Sequence, residues 1–197
     1  MKGDTARAGV FLNVPYDTDF VDLFLAYIAG LAVLNLQPRA TLEIAGGERR
    51  LDRTFELIER CPYSIHDLSR VEVDIKRPMP RFNMPFELGL AVAWQRANPR
   101  KHTWFVFESK NHRIERSLSD LGGTDIYIHH GRADGLFSEL TNAFVRIRRQ
   151  PSVAQMKTVF AELRDALPKL MRNAGTRSPF KARVFDDLRL LARTLSD

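Results

Sequence analysis

Two acidic residues in the middle of the chain have the types and spacing expected of an active site. Asp67 lies at the end of an apolar run over 63–68, and Glu87 follows Pro85 by two residues. Proline is favoured at the first helical position, so we predict a helix over 85–97 with Glu87 in its first turn. Unpaired N–H groups and the helix dipole stabilise a carboxylate there, so Glu87 is expected to stay ionised at neutral pH. The sequence thus predicts two carboxylates near one end of a sheet.

This pair of carboxylates suits the cleavage of an N-glycosidic bond. A carboxylate beside the anomeric carbon acts as a nucleophile or stabilises an oxocarbenium-like transition state. We predict Glu87 in that catalytic role, with Asp67 binding sugar hydroxyls or protonating the base. Arg81, six residues before Glu87, has a fork of donors that suits a phosphate. The other polar residues expected to bind the substrate are Asn13, Tyr16, Asp17, Ser69 and Asn83.

Alternating strands and helices must position these residues. The predicted strands are 10–14, 39–45, 63–68, 102–108 and 124–129, and the predicted helices are 20–35, 51–61, 85–97, 114–121 and 135–148. This alternation predicts an α/β fold with a mainly parallel five-stranded sheet between two layers of helices. In such a sheet the ligand crevice lies outside the carboxyl ends of the strands.

The spacing of apolar residues changes near residue 150, and from there to residue 197 it predicts a helical hairpin. Apolar residues three and four apart form one seam in each arm. The seams are Val153, Met156, Phe160, Leu163, Leu167 and Leu170, then Val184, Leu188, Leu191 and Leu195. Pro168 is expected to kink or end the first arm early. We therefore divide the chain into a nucleotide-binding domain at 8–149 and a hairpin at 150–197, which docks on the domain or pairs subunits.

The positive charge belongs to the hairpin rather than to the main domain. The net charge of the 197 residues is +6, and residues 146–197 hold 12 Lys or Arg against 5 Asp or Glu. A nucleic-acid contact is one interpretation of this segment, but a solvated basic face is favoured. No long apolar run or signal-peptide pattern occurs, so we expect a cytoplasmic protein without membrane contact. Cys61 is the single cysteine, which excludes an internal disulfide and a Cys-rich zinc site.

Three short segments resemble the nucleoside 2-deoxyribosyltransferase family. They are Val10-Phe-Leu-Asn-Val-Pro-Tyr16, Asp67-Leu-Ser69 and Phe86-Glu-Leu-Gly-Leu-Ala91. The same segments resemble the nucleotide N-hydrolase relatives of that family and, more distantly, Toll/interleukin-receptor-like domains. The resemblance covers about residues 8–145 and implies a flavodoxin-like fold.

The resemblance also implies roles for individual residues. Glu87 corresponds to the catalytic nucleophile of the transferases, and Asp67 to the acid that assists with the base. Arg81 stands where the transferases usually carry an aspartate, which favours a phosphorylated or dinucleotide ligand. Toll/interleukin-receptor-like domains of bacterial defence systems cleave NAD with a comparable glutamate. A nucleotide-consuming defence or stress effector is therefore a further expectation.

The same residues allow simpler interpretations. Glu87 can return a hydrogen bond to the helix N-terminus as a capping residue, and Asp67 can accept N–H groups in an Asx turn. His129 and His130 have no further ligand nearby in sequence, so no metal is predicted, and no cofactor motif occurs. The alternatives to an enzyme are a nucleotide-binding or signal-sensing module without turnover and an interaction protein that works through the hairpin. The two apolar seams make a homo-oligomer an expectation in each case.

Overall fold

Five parallel strands form the centre of the molecule. The computed structural model describes residues 7–43, 49–71, 81–111, 118–146 and 150–197. The strands are β1 Gly9–Asn13, β2 Gln37–Arg39, β3 Tyr63–Asp67, β4 Thr103–Glu108 and β5 Ile126–Ile128. They form one sheet in the order β2-β1-β3-β4-β5, and every neighbouring pair is parallel.

Six helices lie in the described part of the chain. They are α1 Val21–Val33, α2 Arg50–Arg60, α3 Asn83–Ala97, α4 Ala133–Ala143, α5 Val153–Asn173 and α6 Ala182–Ser196. Single 3-10 turns add Thr18–Phe20 and Ser119–Leu121. None of these helices combines the length and the apolar character needed to cross a bilayer.

The strand order is flavodoxin-like and confirms the predicted α/β fold class. The chain passes from β1 outward to β2, returns to β3 on the other side of β1, and continues to β4 and β5. The order therefore reverses between β1 and β3. In doubly wound sheets of this order the ligand crevice lies at the carboxyl ends of the two strands that flank the reversal.

Helices cover both faces of the sheet. Val10, Leu12 and Ile65 point to the face that carries α1 and α4. Phe11 and Val106 point to the opposite face, which carries α2 and α3. Successive side chains of a strand point to opposite faces, so residue parity along β1 and β3 decides which helix layer each side chain meets.

The C-terminal hairpin packs on α1 within the same chain. Every residue from Leu23 to Ala32 of α1 is buried, because the sheet lies on one side of this helix and the hairpin on another. A helix that is apolar all round requires such a position. The hairpin residues fully buried in the shared core are Met156, Leu163, Val184, Phe185, Leu188 and Ala192. The seams are thus used inside the chain and no longer argue for an oligomer.

Several predicted features of the secondary structure differ from the structure. The second strand is Gln37–Arg39 rather than 39–45, because residues 41–43 form a turn, while 44–48 lie outside the described residues. Helix α5 continues through Pro168 to Asn173, held by its packing on α1. Leu195 is 39% exposed, and Phe185 and Ala192 take its place in the second seam. The predicted helix 135–148 ends at Ala143 and residues 144–146 form a turn, while 147–148 lie outside the described residues. Of the predicted helix 114–121, residues 114–117 lie outside the described residues and Ser119–Leu121 is a 3-10 turn.

Candidate active site

Glu87 is a buried carboxylate in the second turn of α3. The helix begins at Asn83, so Glu87 is its fifth residue, and its exposed fraction is 5%. Glu87 Oε1 lies 3.9 Å from Arg50 Nε of α2, and its carboxylate is also hydrogen-bonded to the Asn83 side chain one turn earlier. The N-cap residue is Phe82, and no side chain caps the helix. The predicted first-turn position and the capping interpretation are therefore both wrong.

At its observed position in the second turn, Glu87 has a raised pKa, whereas a position in the first turn was expected to stabilise its ionised form. Burial raises the pKa of Glu87 above its usual value, and the attraction of Arg50 and the hydrogen bond of Asn83 offset only part of that rise. The carboxylate lies too far along α3 to accept the unpaired N–H groups at the helix start. A carboxyl group with a raised pKa at a ligand crevice is a candidate functional group.

Tyr16 belongs to the same cluster as Glu87. It follows β1 and packs between Phe24 and Phe180, with ring-centroid distances of 6.2 and 5.5 Å. Burial raises the pKa of Tyr16 to about 12, against smaller effects of the Thr41 hydroxyl and the Arg50 charge, and Glu87 raises it further. Tyr16 is thus a neutral phenol that can donate a hydrogen bond near the carboxylate.

Asp17 and two arginines form a polar group beside this cluster. Asp17 Oδ2 lies 3.5 Å from Arg70 Nε and 3.7 Å from Arg81 Nη2. The Arg81 N–H also donates to the Arg70 carbonyl at 3.3 Å, which joins the two arginines across the segment between them. Both ion-pair distances exceed those of strong charge-assisted hydrogen bonds. The structure thus brings the predicted residues Asp17 and Arg81 together.

Asp67 is a second buried carboxylate, and it is fully hydrogen-bonded. Oδ2 accepts from the Tyr27 hydroxyl at 2.8 Å and from His129 Nε2 at 3.1 Å. Oδ1 accepts from the Ser69 N–H at 3.0 Å, which confirms the Asx-turn interpretation. The Gly131 N–H donates to His129 Nδ1 at 3.0 Å, so the His129 proton is on Nε2, facing Asp67.

These donors decide the ionisation of Asp67. Burial alone would raise its pKa, but the interactions with His129 and Ser69 outweigh burial and hold the pKa below the usual range. Asp67 has an exposed fraction of 0% and Ser69 one of 6%. The Ser69 hydroxyl lies 3.3 Å from His129 Nε2, so the predicted substrate-binding residue Ser69 is part of the same buried group.

Asp67 and Glu87 approach the sheet from opposite faces. Asp67 has the same strand parity as Ile65 and contacts Tyr27 of α1, whereas Glu87 lies on α3. The structure therefore does not place the two carboxylates side by side in one open cleft. It groups Glu87 with Tyr16, Arg50 and the Asn83 side chain instead.

Asn13 lies on the Glu87 face and is the end of a hydrogen-bond chain that the sequence did not reveal. Asn13 Nδ2 lies 3.0 Å from His66 Nδ1 and 3.2 Å from the Met84 carbonyl oxygen. From His66 the hydrogen-bond chain continues through the Ser64 hydroxyl to His102. The four side chains of this hydrogen-bond chain come from three separate segments of the sequence. Ser64 and His66 are two residues apart on β3, so they lie on the same face of the sheet, and this spacing is the one sequence signal that could have indicated a shared polar face.

Other possible sites lie away from this cluster. A cavity of about 350 Å³ between β2 and α6 is lined by Arg7, Pro38 and Arg189. A cavity of about 620 Å³ lies at the amino ends of β3, β4 and β5, between Tyr63, Tyr127 and Phe144. Within the described residues, no group of three His, Cys, Asp or Glu side chains could hold a metal ion.

No protein-family model matches this chain, and no curated protein matches it. The function must therefore be inferred from the residues around Glu87.

Proposed function

We propose that the chain binds a nucleotide at the carboxyl ends of β1 and β3 and acts on its N-glycosidic bond, with Glu87 as the reacting carboxylate. The observation that carries this proposal is the environment of Glu87. Glu87 is 5% exposed, yet its nearest cation among the described residues, Arg50, is 3.9 Å away, and the pKa of Glu87 is raised. The resemblance to the nucleoside 2-deoxyribosyltransferases supports the same role for this residue.

The environment of Glu87 fits a group that reacts with an electron-poor carbon. A carboxylate with few donors and little hydration is poorly stabilised in the free protein, so it gains more from a positive charge that develops on the sugar. An Oε atom of Glu87 attacks the anomeric carbon, and the bond from that carbon to the base nitrogen breaks with its electron pair on the base, which takes up a proton. Water or a second base then attacks the glycosyl ester and restores the carboxylate.

Neighbouring side chains fit the remaining parts of a nucleotide. Tyr16 remains protonated at neutral pH and can donate a hydrogen bond to Glu87 or to a sugar oxygen. Arg70 and Arg81 offer guanidinium groups beside the end of β1, and their side chains are 27% and 37% exposed. Bidentate donors of this kind suit a phosphate. This arrangement favours a nucleotide over a free nucleoside.

Asp67 has a structural role in this proposal. Its three donors leave it no evident capacity to bind a sugar or protonate a base, and it lies on the α1 face of the sheet. It holds the turn that begins at Leu68, which leads toward Arg70. Asp67 therefore supports the arginine side of the site without touching the ligand.

The test is an assay of base release from nucleosides, nucleotides and NAD, followed by chromatography. We expect wild type to release the base from a phosphorylated member of this panel, and Glu87→Gln to be slower by about 100-fold or more, as for the loss of a transition-state contact. Glu59→Gln is the matched control, because Glu59 is an exposed glutamate on α2.

Two outcomes would overturn the proposal. The first is equal base release by wild type and Glu87→Gln. The second is a nucleotide-dependent rise in melting temperature in both proteins with no base released from any compound. That second result would identify a binding module without turnover.

A further inference from the structure

A buried chain of hydrogen bonds extends from the candidate site along the α2 and α3 face of the sheet. It starts with the Asn13 amide and passes through His66 and Ser64 to His102, whose Nδ1 lies 2.7 Å from the Cys61 carbonyl oxygen. The intermediate distances are 3.0 Å for Asn13 to His66, 2.9 Å for His66 to Ser64 and 2.8 Å for Ser64 to His102. All four side chains are at most 4% exposed.

The two ends of this chain fix the direction of its bonds. A backbone carbonyl can only accept, so His102 Nδ1 donates to Cys61 and, in a neutral ring, Nε2 accepts from the Ser64 hydroxyl. The Ser64 oxygen then accepts from His66 Nε2, which leaves His66 Nδ1 as the acceptor for Asn13 Nδ2. Burial lowers the pKa of both histidines, that of His66 to about 3, in agreement with neutral rings.

The Met84 carbonyl fixes the same orientation of Asn13 independently. It accepts the second Nδ2 proton at 3.2 Å, so exchanging the oxygen and nitrogen of the amide would break two hydrogen bonds. Met84 lies three residues before Glu87 on α3. The Asn13 amide therefore ties β1 to the turn of α3 that precedes the reacting carboxylate.

We propose that Ser64, His66 and His102 are positioning residues that orient the Asn13 amide so that its Oδ1 atom is the group offered to the ligand. This inference rests on the proposed function and adds a specificity to it. Asn13 then recognises a hydrogen-bond donor, such as a sugar hydroxyl or a base N–H, and it rejects a group that can only accept. The chain ends on a carbonyl acceptor, so it orients the site and transfers no proton.

The first test is independent of any enzymatic activity. In protein labelled with ¹⁵N-histidine at pH 8, we expect His102 as the neutral Nδ1–H tautomer and His66 as the neutral Nε2–H tautomer, and we expect the His66 tautomer to persist down to pH 5. The opposite tautomer in either ring, or a titration of His66 between pH 5 and 8, would overturn the proposal.

The second test separates this proposal from the proposed function. Ser64→Ala removes one oxygen atom from the middle of the chain and leaves Asn13 and Glu87 in place. We expect it to disturb the tautomer of His66 and to lower kcat/KM for the reactive nucleotide about tenfold, the effect of losing about 1.4 kcal/mol of transition-state binding. Ser138→Ala, at an exposed serine of α4, should change neither quantity.

Each result of the second test has a distinct meaning. If Ser64→Ala changes the His66 tautomer but not kcat/KM, the hydrogen-bond chain does not serve the site, while the proposed function stands. If no compound in the panel loses its base, the proposed function fails, and Asn13 loses the ligand that this inference assigns to it. The tautomers would then describe a structural network only.

Discussion

Asp67 and Glu87 are both buried carboxylates near the carboxyl edge of one sheet, but their surroundings differ. Asp67 accepts hydrogen bonds from Tyr27, His129 and the Ser69 backbone, and its pKa is held low. Within the described residues, the partners of Glu87 are the Asn83 amide and an arginine 3.9 Å away, and the pKa of Glu87 is raised. Burial acts on both groups in the same direction, so the number and strength of their donors determine the difference.

The comparison separates a structural carboxylate from one suited to chemistry. A buried charge with enough donors stabilises the fold around it, whereas one with few donors lowers stability and persists where its reactivity is useful. Sequence motif alone assigned both residues to catalysis. Their hydrogen bonds distinguish them, and the three predictions below test that distinction in order of expected effect.

The largest effect is expected for Asp67→Asn. The amide group would place N–H donors against Tyr27 or His129, which are themselves donors, and would leave buried groups without partners. We expect the free energy of unfolding to fall by about 3 kcal/mol or more, as for breaking a buried charged pair. Urea denaturation measures this change.

The control for this variant is Asp165→Asn, at an exposed aspartate of α5. Surface substitutions of this kind change stability by about 0.5 kcal/mol or less. A loss for Asp67→Asn no larger than that of the control would show that the Asp67 hydrogen bonds do not support the fold.

A smaller effect of opposite sign is expected for Glu87→Gln. Because the folded pKa lies above the usual 4.5, ionisation of Glu87 disfavours the folded state, and stability is lost as the pH rises from 4.5 through the raised pKa. Glutamine removes that loss. We expect the melting temperature at pH 7.5 to rise by about 2–4 °C, which corresponds to about 1 kcal/mol in a chain of this size.

The pH dependence identifies the cause of this rise. The difference between Glu87→Gln and wild type should shrink below pH 4.5, where both side chains are neutral in the folded and unfolded states. A difference that is constant with pH would point to altered packing instead. A lower melting temperature at pH 7.5 would show that Glu87 is as well stabilised as Asp67.

The smallest effect is expected for Arg50→Gln. Arg50 lowers the pKa of Glu87, so its removal should raise that pKa further, and the carboxyl ¹³C titration of Glu87 should move to higher pH. The Arg50 side chain is 62% exposed, so solvent and salt screen the interaction. The shift between wild type and variant should therefore diminish in 1 M salt. A shift to lower pH would contradict the assignment of Arg50 as the counter-charge.

The start of α3 illustrates a limit of local sequence signals. Pro85 indicated a helix that begins at residue 85, but the helix begins at Asn83 and Pro85 is its third residue. The first four N–H groups of a helix have no partner within it, so proline fits throughout the first turn and does not mark one position. The shift of two residues moved Glu87 from the stabilising helix start into a buried second turn.

Pro168 shows the same limit in a helix interior. A proline there removes one hydrogen bond, which favours a break in an isolated helix. Helix α5 nevertheless continues for five more residues, since Leu167, Leu170 and Met171 pack against the core that contains α1. Packing across the chain outweighed the local preference.

The order of strands and helices, the α/β class and the concentration of polar residues at strand ends could all be predicted from the sequence. Those features follow from the spacing of apolar residues, which is a local property. The sequence also made α1 apolar on every side, and this pattern required a cover that the hairpin supplies.

The contacts between polar residues could not be predicted in this way, because they depend on the three-dimensional packing of the elements. Asp67 and Ile65 are two residues apart on β3, so their side chains lie on the same face of the sheet. The path of the chain between the strands places α1 on this face and α3 on the other. The register of β1 against β3 sets Asn13 opposite His66, and this pairing starts the buried hydrogen-bond chain. These contacts join residues that are distant in sequence, so no local pattern contains them.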